Sequence, residues 1–322
     1  MASKMDFKQE LLNIIKNGSL LLDEPMSRHT TFGTGGPASF FVKEQGRDAG
    51  KEAASVIALC QKEKMPYYIL GNGSNVLFAD EGYDGLVIYM APDNAEDIVI
   101  EEKKASFKVS VNAGAMLGAT ATKVSRLGGR GFEFAAGIPG SVGGAVFMNA
   151  GAYDGQINDV IVNAEVYLIE NGEVTRKVFG KEDLKLSYRH SALMEHEENG
   201  SAVICAAAEF EVKKGNAKEA MDLIAELREK RVSKQPLEYK SAGSTFKRPE
   251  NNYAGKLIQE AGLRGYSVGD AQVSEKHCGF VINKGAATTG DIVTLMRTVI
   301  DRVYENSGIR LEPEVRLVGV SL

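Results

Sequence analysis

The chain has 322 residues, 43% of them hydrophobic, and its 38 Lys and Arg against 43 Asp and Glu give a formal charge of −5 at pH 7. That length suggests about two domains with cores of their own and excludes disorder as the main state, while mild acidity without a basic tract argues against nucleic acid as the principal partner. Cys60, Cys205 and Cys278 lie far apart with no C-x-x-C pair, which speaks for a reducing compartment and against a disulfide framework, and no apolar run approaches the ~20 residues that span a bilayer.

Residues 7–16 form a charged, amphipathic stretch in place of the apolar segment of a signal peptide, so the reading is a cytoplasmic protein. A buried strand is expected at 38–42. The helical spacing of Ala53, Val56, Ile57 and Cys60 predicts a helix over 48–64, ended by Pro66. A second strand at 67–70 completes a strand, helix, strand order that implies a parallel crossover. Paired strands follow at 98–101 and 107–111, then a short helix at 116–127 stopped by Gly128 and Gly129. Strands at 160–169 and 173–178 flank Asn171 and Gly172, a strong two-residue hairpin signal. Strands continue to about 212. Composition changes at 213–216, where a helix begins with the stripe Ala220, Leu223, Ile224 and Leu227. Further helices are expected at 253–261 and 289–306, the last capped by Thr288 or Thr289 and ended by Gly308, with a strand at 309–318.

Glycine clusters in loops. GTGGPA at 33–38 fits the dinucleotide fingerprint in letters only, because Pro37 and the β-prone residues 40–42 follow where a helix must begin. No P-loop motif occurs, and His196 has no second His four residues on, so no metal site is expected. GNGSN at 71–75 reads equally well as a plain turn and as a loop that a ligand approaches. GIPGSVGG at 137–144 is harder to explain as a turn, since glycine inside an element costs about 0.5–1 kcal/mol relative to alanine. A diphosphate held by exposed N–H groups is one explanation, and close packing of helix on strand is the other.

The motifs PMSRHTTFGTGG at 25–36, LGNGSN at 70–75, GIPGSVGG at 137–144, LSYRH at 186–190, AGSTFK at 242–247, AGKLI at 254–258 and LEPEVR at 311–316 occur in one order. As a set they resemble the UDP-N-acetylenolpyruvoylglucosamine reductase family, in its shorter, type II subgroup, from about residue 20 onward. The resemblance implies an α+β fold. It comprises a two-subdomain FAD-binding fold of the vanillyl-alcohol oxidase (PCMH) type over 1–213, divided at about 92–93, and a separate α+β substrate-binding domain over 214–322 whose last strand, about 309–322, is free to return to the FAD domain.

It also implies FAD and NADPH as cofactors and a UDP-sugar as substrate, whose enolpyruvyl ether is reduced in peptidoglycan precursor synthesis. Arg189 matches the family's active-site arginine, whose planar fork suits a carboxylate gaining charge. Glu314 matches a glutamate that, if burial keeps it protonated, hydrogen-bonds the same developing charge. Ser244 resembles the proton donor to the other alkene carbon; outside the family context it reads as a turn residue. FAD contacts are expected from Gly71, Asn72, Gly73, Ser74, Asn75, Gly137, Ile138, Ser141, Gly144 and Ala145, mainly through backbone groups. Tyr188, Lys247, Arg248, Lys256, Gln272 and His277 are expected to hold the UDP and sugar. Asn72, Arg248 and Asp154 depart from the family's commoner residues. The expected assembly is a monomer or a weak homo-oligomer, with neither nucleic acid nor membrane as partner. The competing enzyme reading is an FAD-dependent oxidase of the same superfold acting on an alcohol or sugar.

Overall fold

A computed structural model describes residues 4–92 and 97–322. The expected subdomain boundary at 92–93 abuts residues 93–96, which lie outside the described residues, as do residues 1–3 at the start of the N-terminal stretch. The chain divides into two compact units. One holds the residues up to Leu22, Phe40–Asn72 and Gly85–Glu229; the other holds Asp23–Ser39, Gly73–Asp84 and Lys230–Leu322.

In the first unit, an antiparallel sheet runs in the order Glu173–Gly180, Ile161–Glu170, Ala202–Lys214, Ser106–Asn112 and Ile98–Glu102, with the short strand Gly129–Arg130 pairing onto Ala202–Lys214. The hairpin at Asn171 and Gly172 forms as expected, both residues having positive φ, 52° and 81°. Ala202–Lys214 is covered on both faces. Val203 and Cys205 join a core with Leu117, Ala121 and Val124 of the helix Leu117–Arg126. Ala202 and Ile204 join another with Ala53, Val56 and Ile57 of the helix Ala49–Glu63. Strand side chains alternate in direction, so a continuous apolar run is what two covered faces require. Gly50 sits where this helix meets the sheet, and a Cβ there would collide with Ala206.

A second sheet has the order Ser19–Pro25, Pro37–Glu44, Tyr83–Met90 and Tyr67–Leu70, and the unit boundaries fall within the first three of these strands. The crossover through Ala49–Glu63 therefore differs from the simplest expectation. Tyr83–Met90 inserts between its two strands and pairs in parallel with Tyr67–Leu70. Pro37–Glu44 directly follows the glycine turn at 33–36, so no helix starts there to receive a pyrophosphate.

The second unit packs the helix Thr289–Ser307 against a three-stranded antiparallel sheet, Ser267–Val268, Ala271–Val273 and Val281–Asn283, and the helix Ala254–Glu260. Thr288 caps the long helix in a reciprocal pair with Asp291, and Gly308 ends it at φ 71°. Asp80 adds two acceptors, taking the N–H groups of Thr289 and Gly290 at 2.8 Å each. The expected strand at 309–318 shortens to Arg316–Val318, which pairs in parallel with Val76–Phe78 of the same unit. Pro313 has no N–H, and it pairs with Phe246 only as an isolated antiparallel bridge in place of a ladder.

Arg130, a charge with no role evident in the sequence, donates to Glu133 at 2.6 Å and Glu219 at 2.7 Å. All three cysteines are free and buried, and burial pushes the Cys60 and Cys205 thiols up to about 12. No described helix is long and apolar enough to cross a membrane.

Glu44 is the anomaly of the first unit. It is fully buried, and neither carboxyl oxygen has a hydrogen-bond partner among the described residues. Neighbouring Glu52 accepts from the N–H groups of Lys16 and Asn17 and from the Asn17 amide. Burial, and then the Glu52 charge, push Glu44 up to about 8. The folded state thus keeps a proton that the unfolded state releases above about pH 4.5, so stability falls as pH rises from there toward 8. Glu44→Gln is expected to flatten that decline and to raise stability at pH 8 by about 1–3 kcal/mol, as read from urea midpoints across the pH range.

Candidate active site

Two glycine-rich loops meet in the first unit. Gly71 follows the strand Tyr67–Leu70, and a Cβ at Gly71 would collide with the Ser141 hydroxyl. Asn72 donates from Nδ2 to the Pro139 carbonyl at 2.6 Å, tying the loops together. Ser141 caps the helix Val142–Phe147, accepting from Gly144 N–H at 3.4 Å. Here the glycines separate by purpose. Gly143 is a packing residue, since a Cβ would lie 2.8 Å from that of Ala113, whereas Gly144 would meet only Ser141 Oγ, at an ordinary 3.4 Å. The N–H groups of Val142 and Gly143 are used by the carbonyls of Ala115 and Ala113. Gly137 ends a short 3-10 helix that Ile138 caps, and Ala145 is buried in the core beside Val142 and Val146. Gly71 and Gly144 both border the Ser141 hydroxyl, and a glycine-rich backbone with so little side-chain bulk fits a polar cofactor approached by backbone groups.

Tyr188 and Arg189 are the central residues of a turn closed by reciprocal Ser187 and His190 backbone bonds of 3.2 Å. Arg189 has a left-handed φ of 53°, and its guanidinium lies 5.1 Å from the Tyr188 ring centroid.

Residues of the second unit assemble around Thr245. Its N–H donates to Gly279 O, its carbonyl accepts Glu314 N–H, both at 2.9 Å, and its hydroxyl accepts Val281 N–H at 2.9 Å. Lys247 N–H donates to Glu312 O at 2.8 Å. These bonds set Ser244 and Glu314 on adjacent segments, and Ser244 is exposed while Thr245 is fully buried. Gly243, at φ 75°, makes the left-handed step that brings the chain into this position. Asn75 donates from Nδ2 to Glu314 O at 3.0 Å, and its own carbonyl accepts Arg316 N–H. Gly73, at φ 62°, accepts the Thr31 N–H, and a Cβ there would strike the His29 carbonyl. The expected cofactor residues Gly73, Ser74 and Asn75 thus belong to the unit that carries Glu314.

The expected substrate residues of this unit divide. Lys247 pairs with Glu312 at 3.2 Å, Arg248 lies over the Tyr253 ring at 4.9 Å and Lys256 approaches Glu260 at 3.8 Å, all with their cationic ends reaching solvent. Gln272 is buried, its amide donating to Gly265 O and Ser267 Oγ at 3.1 Å each. Its side chain therefore holds a loop. His277 accepts the Gly279 N–H on Nδ1 at 3.1 Å and packs edge-on against Phe280. Burial holds its pKa below the ordinary imidazole range, so the ring is neutral at pH 7. Gly255 approaches that ring, with a Cβ placed 3.4 Å from Cε1. No described cluster of His, Cys, Asp and Glu has the makings of a metal site. Thr245 lies within the AGSTFK motif but is not among the expected site residues, although it organises this unit.

Residues 49–177 match the model of a FAD binding domain, and residues 235–318 match that of the UDP-N-acetylenolpyruvoylglucosamine reductase C-terminal domain. The matched domains and the mixed α+β fold define an FAD-dependent oxidoreductase. The chain is 48% identical over 307 residues to the UDP-N-acetylenolpyruvoylglucosamine reductase of Agathobacter rectalis, covering 93% of this chain and 94% of that protein. It is likewise 48% identical over 311 residues to that of Lachnoclostridium phytofermentans, covering 97% and 96%. The crystal structure of the reductase from Thermus caldophilus aligns with a TM-score of 0.72 at 33% identity, over 94% of this chain and 98% of that one. The chain belongs to the UDP-N-acetylenolpyruvoylglucosamine reductase family.

Gly71→Ala is expected to weaken FAD binding roughly tenfold, about 1.4 kcal/mol, because the new methyl displaces the Ser141 hydroxyl. Flavin titration of the apoprotein by fluorescence quenching measures it.

Proposed function

We propose that this chain reduces the enolpyruvyl ether of UDP-N-acetylenolpyruvoylglucosamine to UDP-N-acetylmuramate with NADPH, a step of cytoplasmic peptidoglycan synthesis that serves the cell wall, cell shape and division. The observation that carries the reading is the placement of exposed Ser244 on the segment beside Glu314, in a chain alike to these reductases over nearly its whole length. Bound FAD would supply the hydride for the terminal alkene carbon, recharged by NADPH. Gly71, Asn72, Gly73, Ser74, Asn75, Gly137, Ile138, Ser141, Gly144 and Ala145 are its assigned contacts, within an FAD-binding domain over 1–213. Residues 214–322 form the substrate-binding domain.

The chain's own work is on the charge and the proton. Hydride addition at one carbon pushes an electron pair through the other into the substrate carboxylate. Arg189 offers two parallel N–H donors to that carboxylate and strengthens its hold as charge accumulates there. Glu314 is assigned to the same developing charge. Ser244 Oγ–H delivers the proton to the second carbon, which completes reduction of the double bond. A serine hydroxyl is a weak acid in water, but the enolate it protonates is a strong base, and fixed orientation supplies the rest. Tyr188, Lys247, Arg248, Lys256, Gln272 and His277 are assigned to the UDP-sugar, the last two by shaping the loops at 265–267 and 277–280. The protein is proposed to act as a monomer or weak homo-oligomer.

Ser244→Ala is expected to leave flavin reduction by NADPH nearly intact while slowing reoxidation by the enolpyruvyl substrate about 10²–10⁴-fold. Anaerobic stopped-flow absorbance separates the two steps, and equal slowing of both would refute the assignment. Arg189→Lys keeps the charge and loses the fork. It should cost steady-state turnover about 10–100-fold; near-wild-type turnover would remove Arg189 from the charge-stabilising role.

A further inference from the structure

Arg189 lies in a strained, left-handed position, which costs a non-glycine residue about 1 kcal/mol or more and persists only where surrounding bonds impose it. Besides the turn's own backbone bonds, two side chains fasten its ends. Asn149, itself at φ 45° and 1% exposed, donates from Nδ2 to the Ser187 carbonyl at 2.9 Å and to Gln156 Oε1 at 3.0 Å. Its Oδ1 accepts the Asn158 N–H at 2.9 Å. At the other end of the turn, fully buried Ser191 donates from Oγ to the Phe147 carbonyl at 2.5 Å. Both ends of the segment that carries Arg189 are therefore fastened to the last residue of the helix Val142–Phe147 and to the residue two beyond it. That helix begins at Ser141, in the glycine-rich loop assigned to FAD.

We propose that Asn149 is a positioning residue for the reduction, holding the Ser187–His190 turn on the end of the flavin-loop helix so that the Arg189 guanidinium meets the substrate carboxylate in the charge-accumulating step. The inference rests on the reading that Arg189 serves that carboxylate. A two-pronged donor must be placed to within about 0.5 Å to act on a developing charge, and a misplacement of about 1 Å costs on the order of 100-fold. A side-chain amide suits the task because the Ser187 carbonyl, already taking the His190 N–H, has a second lone pair for a donor, and because Asn tolerates positive φ.

Asn149→Asp removes the donor. It keeps the left-handed tolerance and the acceptor for Asn158 N–H, while the bond to Gln156, whose side chain also caps Asp159 N–H, is lost with the one to Ser187. The Ser187 carbonyl keeps the His190 N–H within the turn but loses the Asn149 donor that ties it to the helix end. The experiment compares wild type, Asn149→Asp, Arg189→Ala and the double variant by anaerobic stopped-flow, with hydrogen exchange of the 184–191 segment as a second readout independent of turnover. Expected in Asn149→Asp are flavin reduction by NADPH within about twofold of wild type, reoxidation by substrate slowed about 10–100-fold, and faster exchange across 187–191. In the Arg189→Ala background the second change should add less than about twofold.

Lesions that multiply in the double variant, wild-type reoxidation in Asn149→Asp, or equal slowing of both half-reactions would overturn the proposal while leaving the assignment of Arg189 standing. Wild-type reoxidation in Arg189→Ala would instead overturn that assignment, and the proposal with it. If Asn149→Asp does not fold, Ser191→Ala loosens the opposite end of the turn. Slowing confined to reoxidation then supports the proposal, and an unchanged rate overturns it.

Discussion

The second unit depends on one buried residue's polar atoms. Thr245 spends its N–H on Gly279, its carbonyl on Glu314 and its hydroxyl on Val281, and no part of it reaches solvent. Each of these groups would cost about 1–3 kcal/mol if left buried and unpaired, so the three segments must be present together for any of them to be satisfied. The consequence is chemical. Ser244 is turned outward because its neighbour is held inward, and Glu314 follows from the same pairing. Asn75 then binds the Glu314 carbonyl, which brings the GNGSN loop into the same set of bonds.

The first unit solves a similar problem with glycine and asparagine. Gly143 lets its helix settle on Ala113, Gly71 leaves room for the Ser141 hydroxyl, and Asn72 and Asn149 each supply a donor to a loop carbonyl. Among the described residues, neither unit uses a buried Lys or Arg to organise its loops. That fits a chain with no basic tract. Rigidity is the common result, and rigidity is what a guanidinium or a weakly acidic hydroxyl needs to act on a transient charge.

Much of the fold was legible because local rules and tertiary structure agreed. The helix Ala49–Glu63, the hairpin at 171–172 and the capped helix Thr289–Ser307 all followed from spacing and turn residues. Tyr83–Met90 was missed because burial on both faces erases the period-2 pattern, and Ser19–Pro25 because its leucines are largely exposed. The helix Ala192–Glu198 is only seven residues long, too short to show a stripe. At the candidate site, Gly71, Ser141, Ser244 and Glu314 drew meaning from the ordered set of motifs. His277 and Gln272 show the limit of that reading, since the structure engages both side chains with nearby loops.

By itself the sequence determined the chemistry available: which segments were helix or strand, where glycine allowed close approach, and which arginine, serine and glutamate stood in recognisable motifs. Those properties reside in single residues and their near neighbours. Only the tertiary structure decided that Asn75 would bind beside Glu314, that Thr245 would join residues as distant as 279 and 314, and that Asn149 would hold the Arg189 turn. Such pairings are settled by the cost of leaving buried donors and acceptors unmatched, a quantity no local pattern of residues can express.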